Sequence, residues 1–230
     1  KSHPVIVRES VRFVAEQDSL NASVLEPDAT VEAPEFDLFV KEVAKEMTVK
    51  AGQKCTAIRR AFVPAKLLDA VQAALIARLE KVTIGDPHDE ATRMGALVSV
   101  GQRQDVRAKI KEIGADAAIV HGDPNAAPVN EKGAFMSPVL LRCERPWEAR
   151  AVHDVEAFGP VSTLMPYHDA ADVIALANRG KGSLVMSAFT YDTEFARELV
   201  LGSGSFHGRV AFIDRDSANE STGHGSPMPH

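Results

Sequence analysis

Apolar positions along the chain recur at two spacings, every second residue in some stretches and every third or fourth in others, and the stretches alternate. From Glu35 onward Phe36, Phe39, Val40, Val43 and Met47 mark one face of a helix, with Gly52 as its stop. Residues 56–63 read as a strand, and Pro64 suits the first turn of a helix that carries Leu68, Val71, Leu75, Leu79 and Val82 inward. Gly85, Asp86 and Pro87 end it, and Val106, Ile110 and Ile113 place another helix over 100–113. Strands follow at 117–120, 135–141 and 160–166. Asp169 then caps a helix containing Val173, Ile174 and Ala177, before a strand at 184–190, a helix at 193–201 and a strand at 209–213. Near the start, 11–15 reads as a short strand running into Glu16, and 18–34, with Pro27, Asp28 and Pro34, as a connecting segment. The glycine- and proline-rich stretches 121–133 and 202–208 read as loops. Strands alternating with helices predict an α/β fold, three-layered around a largely parallel sheet.

Composition narrows the function. The 230 residues carry 26 Lys+Arg against 32 Asp+Glu, a net charge of −6, which argues against a nucleic-acid partner. With 45% hydrophobic and 25% charged residues the chain has the make-up of a folded globular protein. No apolar run approaches the roughly 20 residues of a membrane span, so no membrane partner is expected. Two cysteines, Cys55 and Cys143, fit a reducing, cytoplasmic setting. Lys1 stands where an initiator Met would be, and Ser221 to His230 ends in a Gly/Pro loop; both ends read as cuts within a longer chain.

Several motifs fail. The glycines from Gly202 to Gly208 follow a helix, where a dinucleotide fingerprint follows a strand, so a helix stop is the better reading. The eight histidines lack metal-ligand spacing, no metal is expected, and most of them read as solvated or locally hydrogen-bonded loop residues. Cys143, at a strand end, reads as inert packing. Cys55 is different: it lies between an amphipathic helix and a strand, where reacting groups gather, and the flanking Lys54 favours a thiolate. By itself this leaves nucleophile and packing residue both open.

Four motifs in order change that balance. Gly52-Gln53-Lys54-Cys55 runs through a strand ending in Val63-Pro64 into a long helix. Gly133, Phe135 and Pro138 form a Gly-x-Phe-x-x-Pro strand, Glu156-Ala157-Phe158-Gly159-Pro160-Val161 follows, and Phe189, Thr190 and Asp192 close the series. In these motifs and their order the chain resembles the aldehyde dehydrogenase superfamily. The stretch from Lys50 to Arg60, with Glu220 to Pro227, resembles in particular the branch that contains the dehydrogenase half of ring-opening proteins of phenylacetate degradation.

The resemblance implies an enzyme that oxidises a CoA-linked semialdehyde with NADP, NAD being possible. It implies Cys55 as nucleophile and Glu16, 39 residues earlier, as general base. It further implies that Glu156 binds the ribose of the cofactor, that Phe158 packs beside the nicotinamide, that the Cys55 backbone N–H meets the oxyanion, and that His224 lies in a loop near the substrate entrance. Gln17, Asp18 and Ser19 stand where most members have Leu-Gly-Gly, which leaves the backbone after Glu16 less defined. The implied organisation is a last piece of the cofactor domain at 1–17, the catalytic domain at 18–218 and the start of a C-terminal segment at 219–230. A homo-oligomer, with a hydratase-like domain fused in the native chain, belongs to the same expectation. The alternatives are a semialdehyde dehydrogenase of benzoyl-CoA breakdown, a CoA-acylating dehydrogenase and a non-catalytic assembly module.

Overall fold

A computed structural model describes residues 3–9, 18–126, 128–130 and 132–225. In chain order the elements are α1 (Pro4–Glu9), β1 (Ala22–Leu25), α2 (Pro34–Thr48), β2 (Arg60–Pro64), α3 (Leu68–Leu79), α4 (Val100–Ile113), β3 (Ala118–His121), β4 (Val139–Arg142), α5 (Ala151–Asp154), β5 (Val161–Tyr167), α6 (Ala170–Asn178), β6 (Ser183–Phe189), α7 (Thr193–Ser203) and β7 (His207–Ile213). The strands form one seven-stranded sheet in the order β3-β4-β5-β2-β1-β6-β7. Every neighbouring pair is parallel except β3 with β4.

Strand β2 shows how the sheet comes to lie between two layers. Phe62 faces a core that includes Val106 and Ile110 of α4 and Val173 and Leu176 of α6. Its neighbours Ala61 and Val63 face the opposite core, with Phe39, Val40 and Val43 of α2 and Val71 and Leu75 of α3. Successive strand side chains point to opposite faces, so a strand covered on both sides reads as an unbroken apolar run. The side chains of Ser99, Asp169 and Asp192 cap the first turns of α4, α6 and α7 by accepting backbone N–H bonds.

Several expectations need correction. Residues 18–34 are not merely a connection: β1 lies inside the sheet, between β2 and β6. It was missed because four buried residues, Ala22, Ser23, Val24 and Leu25, have no alternation to display. The strands expected from 56 and 135 begin only at Arg60 and Val139. The short helices α1 and α5 carry too few residues for a periodic signal. The strand expected at 11–15 lies outside the described residues.

Arg60 is fully buried, and among the described residues no carboxylate pairs with it. Its guanidinium donates to the carbonyls of Leu20 (2.9 Å), Leu176 (3.1 Å) and Ala177 (2.9 Å) and meets His153 Nδ1 at 3.3 Å. Two of those carbonyls close α6, whose C-terminal end carries the negative pole of the helix dipole. Burial pulls the Arg60 pKa down to about 9. Arg60→Met is expected to lower stability by about 3 kcal/mol in chemical denaturation, because charge-assisted bonds to carbonyls outweigh the relief of desolvation. A loss below about 1 kcal/mol would show the two terms cancelling.

Candidate functional site

Helix α2 unwinds into a turn in which Lys50, Ala51 and Gly52 all take positive φ (53°, 51° and 67°). Lys50 and Ala51 adopt a conformation that side chains disfavour, and surrounding contacts hold them there. Gln53 donates its backbone N–H (3.1 Å) and its side-chain amide (3.0 Å) to the Lys50 carbonyl, while its Oε1 accepts from Val98 N at 2.9 Å. Cys55 follows, exposed at the tip. A Cβ on Gly52 would sit 2.0 Å from the Gly159 carbonyl oxygen, so this turn touches the Glu156–Pro160 turn backbone to backbone.

Below the tip, Asn21 acts as a hub. Its buried amide donates to the carbonyls of Ser19 (3.2 Å), Cys55 (2.8 Å) and Ala57 (3.0 Å) and its Oδ1 accepts from Ser19 Oγ (2.9 Å) and Val185 N (3.0 Å). Glu156, buried, accepts from Ser19 N at 2.9 Å and from Arg59 Nε at 3.0 Å. A carboxylate can accept about four bonds, so capacity remains for a ligand hydroxyl. Phe158 is half-buried, and its carbonyl accepts from Gln102 Nε2 at 2.9 Å. Cys55, Glu156 and Phe158 are thus gathered on two touching turns. Glu16 lies outside the described residues.

The site stands at the amino ends of the parallel strands: Asn21 precedes β1, Cys55 precedes β2 and Glu156 precedes β5. Ligands of open α/β sheets usually gather at the carboxyl ends, so that rule points to the wrong edge here. Asn21, Arg59 and Gln102 went unnoticed in the sequence because their roles depend on partners 34 to 100 residues away.

Two charge expectations change. Lys54 turns away from Cys55 to pair with Glu46 at 2.6 Å. Burial raises the Glu46 pKa, and Lys54 opposes that shift. His224, in the loop expected near the substrate entrance, is fully buried: its Nδ1 lies 2.7 Å from Ser187 Oγ, and its backbone N–H donates to Glu42 Oε1 at 2.8 Å. Residues 223–225 therefore strap across α2 behind the Cys55 turn, with Thr56 Oγ1 donating to the Gly225 carbonyl at 3.3 Å. His153 and His207 are buried too, and they lie in α5 and at the start of β7 rather than in loops.

Cys143 is 1% exposed, and burial raises its thiol pKa, so little thiolate is present to react. Iodoacetamide at neutral pH is expected to label Cys55 at least roughly tenfold faster than Cys143, since thiolate fraction and access set the rate. Equal rates by peptide mass mapping would contradict this. Among the described residues no three His, Cys, Asp or Glu stand together as metal ligands, and no helix is long and apolar enough to cross a membrane.

The sheet and the sequence that builds it match a known family. The aldehyde dehydrogenase family model matches residues 6–204, and the chain belongs to that family. Among curated relatives it is 45% identical over 233 residues to 3,4-dehydroadipyl-CoA semialdehyde dehydrogenase of Aromatoleum evansii, covering 100% of this chain and 45% of that protein. It is 47% identical over 137 residues to Protein MaoC of Klebsiella aerogenes, covering 59% of this chain and 40% of that protein. Among solved structures, betaine aldehyde dehydrogenase of Staphylococcus aureus in complex with NAD+ superposes with a TM-score of 0.74 at 26% identity, covering 86% of this chain and 38% of that one. The chain spans less than half the length of these relatives.

Proposed function

We propose that these residues form the nucleophile-bearing part of an NAD(P)-dependent aldehyde dehydrogenase whose substrate is a CoA-linked semialdehyde. The observation that carries the reading is the exposed Cys55 thiol on a turn packed against the turn of Glu156 and Phe158. The similarity to a CoA-semialdehyde dehydrogenase supports the substrate class, and a solved relative with NAD+ supports a nicotinamide cofactor. The residues present fit such a cofactor. Glu156 keeps free lone pairs for the ribose hydroxyls, and the half-buried Phe158 offers an apolar surface to a ring.

An aldehyde carbon becomes a ready hydride donor once a nucleophile has added to it. The Cys55 thiolate forms the C–S bond of a thiohemiacetal, with the Cys55 backbone N–H as one donor to the oxyanion. The cofactor, when bound, supplies the hydride acceptor. Loss of hydride leaves a thioester on Cys55. Glu16 takes a proton from water, the hydroxide adds to the thioester carbon, and the C–S bond breaks to release the carboxylic acid and the thiolate.

NADP rather than NAD, a homo-oligomer and a fused hydratase-like domain are part of the same proposal, the last supported by the similarity to Protein MaoC. So is the division into a remnant of the cofactor domain at 1–17, a catalytic domain at 18–218 and a C-terminal segment from 219. The 230 residues by themselves are then expected to give no NADP-dependent oxidation, and detectable turnover by them overturns that division. For the full-length protein, the test is acid formation from a CoA-linked semialdehyde with NADP and with NAD, against Cys55→Ala and Glu16→Ala. Loss in both variants is expected. Turnover surviving in Cys55→Ala overturns the nucleophile, and Glu16→Ala retaining turnover with free CoA as acceptor favours acylation over hydrolysis.

A further inference from the structure

Resting on that reading of Cys55 and Glu156, we propose that Arg59 is a positioning residue that couples the two turns, so that the state of the Glu156 carboxylate is felt at the Cys55 thiol before any cofactor binds. Its side chain is 4% exposed and that of Glu156 6%. Two guanidinium nitrogens serve the Glu156 turn, with Nε donating to Glu156 Oε1 at 3.0 Å and Nη1 to the Gly159 carbonyl at 2.8 Å. The remaining nitrogen serves the nucleophile's turn, with Nη2 donating to the carbonyls of Gly52 at 2.8 Å and Lys54 at 3.4 Å. Arg59 Cζ also lies 5.5 Å from the centre of the Phe158 ring. The planar fork thus touches both turns at once, on the residues that flank Cys55 on one side and on Glu156 and Gly159 on the other.

Geometry makes the link stiff. The two turns already meet backbone to backbone at Gly52 and Gly159, so neither can shift by the width of an atom without moving the guanidinium. The guanidinium cannot instead relax into water, because it is buried and Glu156 is the carboxylate that neutralises it. A buried charge that loses its partner must find other acceptors, and the acceptors within its reach are the carbonyls that hold the Cys55 turn. Lysine cannot replace this, since an ammonium is a point donor without the fork. Ser19 N completes the arrangement by occupying Glu156 Oε2, which fixes the carboxylate plane.

The test uses the full-length protein without cofactor and reads the rate and pH profile of Cys55 alkylation by iodoacetamide, with circular dichroism as the check of folding. Glu156→Gln is expected to change the Cys55 alkylation rate at least threefold although it does not touch the turn that carries the thiol. In an Arg59→Lys background the same substitution is expected to have no further effect, because the coupling is gone. Glu156→Gln leaving alkylation unchanged, or acting equally with and without Arg59, overturns the coupling. If Arg59→Lys does not fold, the single Glu156→Gln result decides. Failure of the catalytic reading looks different: Cys55→Ala would then keep its activity, whatever Arg59 does.

Discussion

Gly52→Ala is expected to abolish turnover in the full-length protein and to destabilise the chain by about 4 kcal/mol or more, at the extreme of single substitutions. Two independent effects meet at this position. At φ +67° a side chain is strained, which for an ordinary residue costs roughly 1–2 kcal/mol. The added methyl would also lie 2.0 Å from the Gly159 oxygen, 2.5 Å from the Gly159 carbonyl carbon and 2.9 Å from Pro160 Cα, all backbone atoms that no rotamer change can move. Relief requires the turns to separate. That withdraws the Gly52 carbonyl from Arg59 and displaces Cys55 from Glu156 and Phe158. Displacements of about 1 Å at a reacting centre cost on the order of a hundredfold in rate. The checks are urea denaturation and a single-turnover assay. A variant with native stability and turnover would show that the two turns can part freely.

Acid is expected to unfold the protein well before ordinary carboxylate protonation would. Burial, assisted by the positive charge of Arg60, pushes His153 and His207 down to about 4, and burial pushes His224 down to about 3. In the unfolded chain each titrates near 6.5, so between those values the unfolded state binds more protons than the folded one. The stabilisation is complete above pH 6.5 and is lost as pH falls through 5 toward 4 and 3. At pH 5 each buried imidazole then costs about 2 kcal/mol relative to pH 8. Hydrogen bonding of His153 Nε2 with the Pro146 carbonyl and the charge of Asp154 work against its shift, and both are already contained in that value. Glu46 has the opposite sign, because burial raises its pKa and the folded state takes up its proton sooner as pH falls. Melting temperature should therefore hold from pH 8 to about pH 7 and drop from there to pH 5, and His207→Gln should flatten the drop. A constant melting temperature over that range contradicts buried neutral histidines.

Much of the architecture was legible along the chain, and the reasons are local. Helix α4 was expected over the residues it occupies because three inward positions, Val106, Ile110 and Ile113, fall at helical spacing. The cap at Asp169 acts within its own first turn, so the start of α6 was equally visible. Strand β1 was invisible for the converse reason: four residues buried on both faces, one of them Ser23, carry no period. Ser23 is at home there only because Ser187, 164 residues later, lies alongside it and donates a 2.9 Å hydrogen bond. The same holds for His224, whose loop was expected near an entrance and whose burial depends on Ser187 and on Glu42 of α2.

By itself the amino-acid sequence determined the alternation of strands and helices, the largely parallel sheet, the family and the identity of the one cysteine that stands on a turn. Each is written in spacings of a few residues or in short contiguous motifs. Tertiary structure alone decided which edge of the sheet carries the site, what Glu156 is bonded to, and where the charges of Lys54 and Arg59 point. Lys54 meets Glu46 and Arg59 meets Glu156 across gaps of 8 and 97 residues. A charge is directed by whichever partner the packing brings within hydrogen-bond reach, and at the distances of a folded core that partner bears no relation to distance along the chain.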